Sequence, residues 1–232
     1  MFGRKKIAAV VAEFLGTAAL TLLVLSVQHS QVGLTFFVAM AAGLVVALMS
    51  FAVGGMSGGY FNPALTLGAW TLRKLDTLSG LLYIGAQFLG AWGAYYLYTY
   101  YVNTHLPTVP GQFHGQTLVA EAVGTAIFGL VVAASIFQQN LSQAAKSAYV
   151  GLGLMVGVLA ASSASIGLLN PALALGVHSV VWSTYMLGPV LGALVGMNLY
   201  MLLFAESGST ASVSAAVAPK RAVVKKKRST RK

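Results

Sequence analysis

Two Asn-Pro-Ala tripeptides, at 62–64 and 170–172, are the residues of this chain best placed to do chemistry. Asn is among the strongest N-cap residues. Pro is favoured at the first helical position, where its missing N–H costs nothing. Asn62 and Asn170 are therefore expected to cap helices that begin at Pro63 and Pro171, with Ala64 and Ala172 in the first turn. A helix N-terminus presents positive dipole, and an Asn amide adds a hydrogen-bond donor. Such a pair can bind an uncharged oxygen and repel cations. Bond-making chemistry has no counterpart here. No nucleophile–base pair or metal-ligand cluster is visible, and the absence of cysteine excludes disulfides and thiolate sites. No enzymatic activity, metal or cofactor is expected.

The elements that must position these residues lie in a membrane. Of 232 residues, 57% are hydrophobic and 8% charged, against about a quarter charged in a soluble domain. A spanning helix needs about 20 mostly apolar residues. Six such stretches occur, near 7–27, 34–53, 78–101, 117–137, 148–165 and 183–205. The first follows Arg4, Lys5 and Lys6 and resembles a secretory signal, but it is long enough to span and lacks a clear cleavage site. The stretches beginning at Asn62 and Asn170 are about 10 residues, or roughly 15 Å as helix. That is half a bilayer, so both should be re-entrant.

With six spans, all 14 Lys and Arg fall on one side: Arg4, Lys5, Lys6, Arg73, Lys74, Lys146 and eight more in the tail. His29, His105, His114 and His178 fall on the other. The positive-inside rule then gives a multi-pass cell-membrane protein with both termini cytoplasmic. The chain also repeats itself at an offset of 108 residues. Glu13, Gly16 and Thr17 recur as Glu121, Gly124 and Thr125; Gly43 recurs as Gly151, Ser57 as Ser165, and Gly68 as Gly176. Each half holds three spans, so the halves must be inverted. Such folds place their site at the midplane, where broken helices meet. The segments before the two asparagines, 54–61 and 163–169, should be irregular, which at membrane depth requires a cavity or burial in protein. Glu13 and Glu121 sit inside spans, where carboxylates are costly. They are either a proton relay or acceptors for the neighbouring re-entrant loops, and Gln87 reads similarly.

Twin Asn-Pro-Ala half-helices, paired Glu-x-x-Gly-Thr first spans and inverted three-span halves resemble the aquaporin, or major intrinsic protein, family over about residues 7–205. The resemblance implies an all-α integral membrane fold with six transmembrane helices, two re-entrant half-helices and an inverted 3+3 repeat. It implies a channel domain over 1–205, with repeats at about 7–101 and 117–205. It also implies a homotetramer and passive conduction of water and small uncharged, glycerol-like solutes. Carbonyls near Gly59, Tyr60 and Phe61, and near Gly167, Leu168 and Leu169, would line the single file. Glu13 and Glu121 would be structural buried carboxylates. In family register the selectivity filter falls on Ala42, Val158, Gly167 and Leu173. Leu173 stands where familiar members have Arg, Ala174 where aquaglyceroporins have Asp, and Tyr60 where His is common. Small residues should widen such a filter, whereas an all-apolar ring can dewet. His178 either reaches the outer mouth or is a solvated loop histidine. Tyr95 and Tyr185 could move into the space left by Arg, and most aromatics should face lipid or its interface.

The Ser/Ala-rich residues 206–219 and the run KRAVVKKKRSTRK at 220–232 form a flexible basic tail. It serves as a topology anchor or binds anionic lipid; no specific nucleic acid is expected as a partner. Two other functions fit a membrane protein of this plan. A secondary transporter would need an ion-binding midplane site, and a structural protein would have a closed pore.

Overall fold

The computed structural model describes residues 3–30, 33–106, 112–179 and 181–205. The basic tail, 206–232, lies outside them. The chain is all-helical: α1 (Arg4–Gln28), α2 (Thr35–Ser57), α3 (Pro63–Thr71), α4 (Thr77–Val102), α5 (Gly115–Phe137), α6 (Gln143–Ala161), α7 (Pro171–Gly176) and α8 (Leu187–Leu203). A π-helical turn, Trp182–Met186, leads into α8. Five of the long segments are apolar enough to cross a membrane by length and composition. The sixth, α4, has the length at 26 residues but carries tyrosine at 83, 95, 96, 98, 100 and 101. Leu48, Leu81, Val195 and Leu202 each expose more than 60% of their surface, as suits side chains solvated by acyl chains.

The two halves repeat one plan in opposite senses. Helix α1 packs against α2 and α4, and α5 packs in the same way against α6 and α8. Helices α2 and α6 cross between the halves at the repeat-related pair Gly43 and Gly151. A Cβ on Gly43 would stand 2.7 Å from the Gly151 carbonyl, and one on Gly151 would stand 2.3 Å from that of Gly43. Only hydrogen fits on either side of this contact. The half-helices are exchanged: α3 lies against α8, and α7 against α4.

Several boundaries differ from those expected. Helix α6 starts at Gln143, not near 148, because Ser142 caps it by accepting from Ala145 N at 3.2 Å. Lys146 therefore lies on its first turns and not in a connection. Helix α2 runs on to Ser57, so Gly54–Ser57 are helical and only 58–61 are irregular. Gly58, at φ 106°, provides the left-handed C-cap. Helix α7 has six residues where about ten were expected, because the chain turns left-handed at His178, φ 56°.

Candidate functional site

The two half-helices meet end to end. Asn62 accepts from Ala64 N at 2.9 Å, and Asn170 accepts from Ala172 N at 2.9 Å. With their oxygens so engaged, the amide nitrogens reach across the midplane. Asn62 Nδ2 donates to the Leu169 carbonyl at 2.8 Å, and Asn170 Nδ2 donates to the Phe61 carbonyl at 2.9 Å. Each amide nitrogen carries two hydrogens, so one remains for an oxygen passing between them. The Phe61 and Leu169 carbonyls are thus clamped across the molecule, each with one lone pair still available.

Phe61 and Leu169 hold φ of 49° and 52°, a region that bulky residues seldom occupy. The buried carboxylates hold them there. Glu13 accepts from Phe61 N at 2.6 Å, Tyr60 N at 3.0 Å and Ser57 Oγ at 2.5 Å. Glu121 accepts from Leu169 N at 2.7 Å, Leu168 N at 2.9 Å and Ser165 Oγ. Both carboxylates are 0% exposed. Backbone groups that would otherwise be orphaned at membrane depth thereby find acceptors. The glutamates could be read as acceptors for the neighbouring loops, but the sequence did not single out Ser57 and Ser165, visible only as a repeated pair, among the donors.

The halves are not equal. Gln87 Nε2 gives Glu13 a fourth donor at 2.7 Å and also donates to Thr66 Oγ1 at 2.8 Å. In the second half Ala174 replaces Thr66. The third span also slips in register. Gly90 approaches the Phe14 carbonyl where Gly192 approaches that of Ala122, so the offset there is 102 and Pro189 takes the place of Gln87. Glu121 is left with the three donors named.

Toward the end of the molecule that carries His29, Ala42, Val158, Gly167 and Leu173 line one cavity of about 300 Å³. Leu168 lies on the same wall, and Gln28, Thr35, Ser162 and Ser165 supply polar groups. Among the described residues no Asp, Glu, Lys or Arg lines it. Tyr60 lies apart from it, 7% exposed, with its ring 6.5 Å from that of Tyr83. His178 is not a solvated loop residue. It is half-buried and stacked on Tyr95 with ring centroids 4.0 Å apart. That stack holds Tyr95 at 4% exposure. Five of the ten tyrosines (60, 83, 95, 98 and 200) are buried, so tyrosine fills the core here more than the expected interfacial placement implied.

The family model for the major intrinsic protein matches residues 3–200. The chain belongs to the major intrinsic protein family. Aquaporin Z of Photorhabdus laumondii is 32% identical over 224 residues, covering 84% of this chain and 96% of its own length. Aquaporin A of Dictyostelium discoideum is 35% identical over 180 residues, 71% of this chain and 64% of that protein. Putative aquaporin NIP4-1 of Arabidopsis thaliana is 30% identical over 171 residues, 69% of this chain and 60% of that protein. The match thus spans slightly less than two thirds of these last two relatives. The X-ray structure of the aquaglyceroporin from Plasmodium falciparum shares the fold, with a TM-score of 0.68 at 21% identity over 85% of this chain and 94% of that one. Major intrinsic proteins are multi-pass membrane channels and not enzymes.

Proposed function

We propose that this major intrinsic protein is a passive channel for water and other small uncharged solutes of glycerol size. Asn62 and Asn170 form the pore centre. Ala42, Val158, Gly167 and Leu173 form an apolar filter without the usual arginine. The observation that carries this reading is the shared cavity of about 300 Å³, to which these four residues come from four separate elements. These four small or apolar residues present no charge to bind or reject an ion and leave room for a solute larger than water.

At the centre, a passing water accepts from the free amide hydrogens of Asn62 and Asn170 and donates outward in both directions. Carbonyls of Gly59, Tyr60, Phe61, Leu168 and Leu169 receive those donations in turn. This orientation breaks a proton-conducting chain, and the two helix N-termini repel cations. Glu13 and Glu121 serve as structural carboxylates, since each accepts backbone N–H groups from the loop before its asparagine. The protein would assemble as a homotetramer, with both termini cytoplasmic and 206–232 as a basic tail. Residues 1–205 would form the channel domain.

The test is stopped-flow light scattering on liposomes, with water and glycerol gradients run in parallel. Wild type should pass both, and Leu173→Arg should reduce glycerol entry more than water flux. Water flux without glycerol entry would show that the apolar filter is narrow. Flux no faster than in empty liposomes would overturn the channel reading.

A further inference from the structure

A second cavity, of about 170 Å³, opens on the outer surface between α3 and α4. Its walls are Leu67, Trp70, Leu81 and Ile84, and Thr66, Gly80 and Thr77 also line it. It belongs neither to the paired asparagines nor to the proposed filter. From Thr77 to Ile84 the helix rises about 10 Å, so the groove runs from the end of the span into the hydrocarbon, parallel to the acyl chains. Trp70, 47% exposed, donates from Nε1 to Thr77 Oγ1 at 3.0 Å. An indole so placed marks the membrane–water interface.

The link between the two groove helices carries an exposed cation. Arg73 is exposed, and its backbone N–H is bonded to the Trp70 carbonyl at 2.9 Å. It lies in the short link between the two groove helices. Lys6, at the start of α1, is close enough to act on Asp76. Among the described residues the opposing charge there is the Asp76 carboxylate, and it is engaged by Ser79 N at 3.0 Å and Ser79 Oγ at 2.6 Å. An apolar slot beside an exposed arginine at the interface matches one occupant: a phospholipid with an anionic headgroup. We propose that the α3–α4 groove binds one acyl chain of an acidic phospholipid, whose headgroup pairs with Arg73.

Trp70 reports on its own groove. In a Trp92→Phe, Trp182→Phe background it is the sole tryptophan, and its fluorescence is quenched by bromine on a neighbouring acyl chain. Phosphatidylcholine vesicles would carry a minor fraction of dibrominated phosphatidylserine or of dibrominated phosphatidylcholine. Brominated phosphatidylserine should bind about fivefold better, the effect of one basic group at the surface. Arg73→Asn, which tolerates the left-handed φ of 56°, should abolish that preference. Gly80→Leu should reduce quenching by both lipids. Its added Cβ meets only Leu75 Cδ2, at 3.6 Å, so the fold has room for it. Both variants keep the basic run at 220–232, so attraction of acidic lipid to the tail cannot account for a loss. Equal quenching by the two lipids, or a preference that survives Arg73→Asn, overturns the proposal. No quenching by either lipid also overturns it and indicates that a second copy of the chain covers the groove.

Discussion

The glutamates carry different loads although they occupy repeat-related positions. Four donors converge on Glu13 and three on Glu121. A glutamine keeps one carbonyl oxygen and turns the other acceptor into a donor. Glu13→Gln must therefore set its amide against both Phe61 N–H and Gln87 Nε2, or against Ser57 and Tyr60 if it flips. Glu121→Gln meets fewer such conflicts. Both variants should be destabilised, Glu13→Gln more so, measured as the midpoint of thermal unfolding in detergent; the reverse order would contradict the donor count. Ser57→Ala, which removes the hydrogen bond to Glu13 and the acceptor of Gly59 N, should cost about 2–3 kcal/mol. Asp76 lies at the interface and its carboxyl is held below the ordinary carboxylate range, chiefly by its hydrogen bonds from Ser79. A depressed carboxyl stabilises above its unfolded pKa, about 3.9, and that contribution fades as pH falls through the folded value. Asp76→Ala should then cost about 1 kcal/mol at neutral pH, and its unfolding midpoint should converge with that of wild type in acid. The asparagines and glutamates were legible as residues, from repetition and from charge inside a span. The left-handed Phe61 and Leu169 were not, because their side chains give no sign of positive φ and only the distant glutamates impose it.

At the scale of elements, the close approach of α2 and α6 rests on a pair of glycines. Gly43→Val and Gly151→Val should each force the helices apart and lower the yield of monodisperse protein on size-exclusion chromatography. Because both side chains would invade one contact, the double variant should lose less than the sum of the singles. Gly85→Ala provides the control: its Cβ would meet nothing within 4 Å, and a helical Gly→Ala change there should be neutral or stabilising by up to about 1 kcal/mol. Equal damage at Gly85 would point to helix propensity or lipid contact in place of packing. The long helices were readable because uninterrupted apolar length is a strong signal. Their ends were less so. Apolarity placed the start of α6 near 148, whereas the Ser142 cap moves it to Gln143. Counting apolar residues also made α7 too long, because the left-handed turn at His178 has no glycine to announce it.

At the scale of the whole molecule, the repeat could be read as two modules joined in tandem, yet the packing excludes independent ones. Each half-helix is seated in the other half: α3 lies against α8 and α7 against α4. Each central asparagine donates to a carbonyl of the opposite half, and Gly43 and Gly151 close the seam between α2 and α6. The exchange was not legible from the 108-residue offset, which gives the symmetry of the halves but not which helix receives which half-helix. The slip to an offset of 102 in the third span, after Gly68 and Gly176, was hidden for a related reason: few identities mark that span, and its register appears only where Gly90 and Gly192 meet equivalent carbonyls. A half produced alone leaves its Asn amide without a carbonyl and its half-helix without a groove, both costly in hydrocarbon. Residues 1–106 and 112–232 expressed separately should therefore be digested rapidly in membranes. Co-expression should restore protease resistance and water flux together. The intact chain should unfold in detergent in a single transition, and Asn62→Ala with Asn170→Ala should lower its midpoint without splitting it. Two resolved transitions, or a stable isolated half, would show that the interlock contributes little and that each repeat folds on its own core.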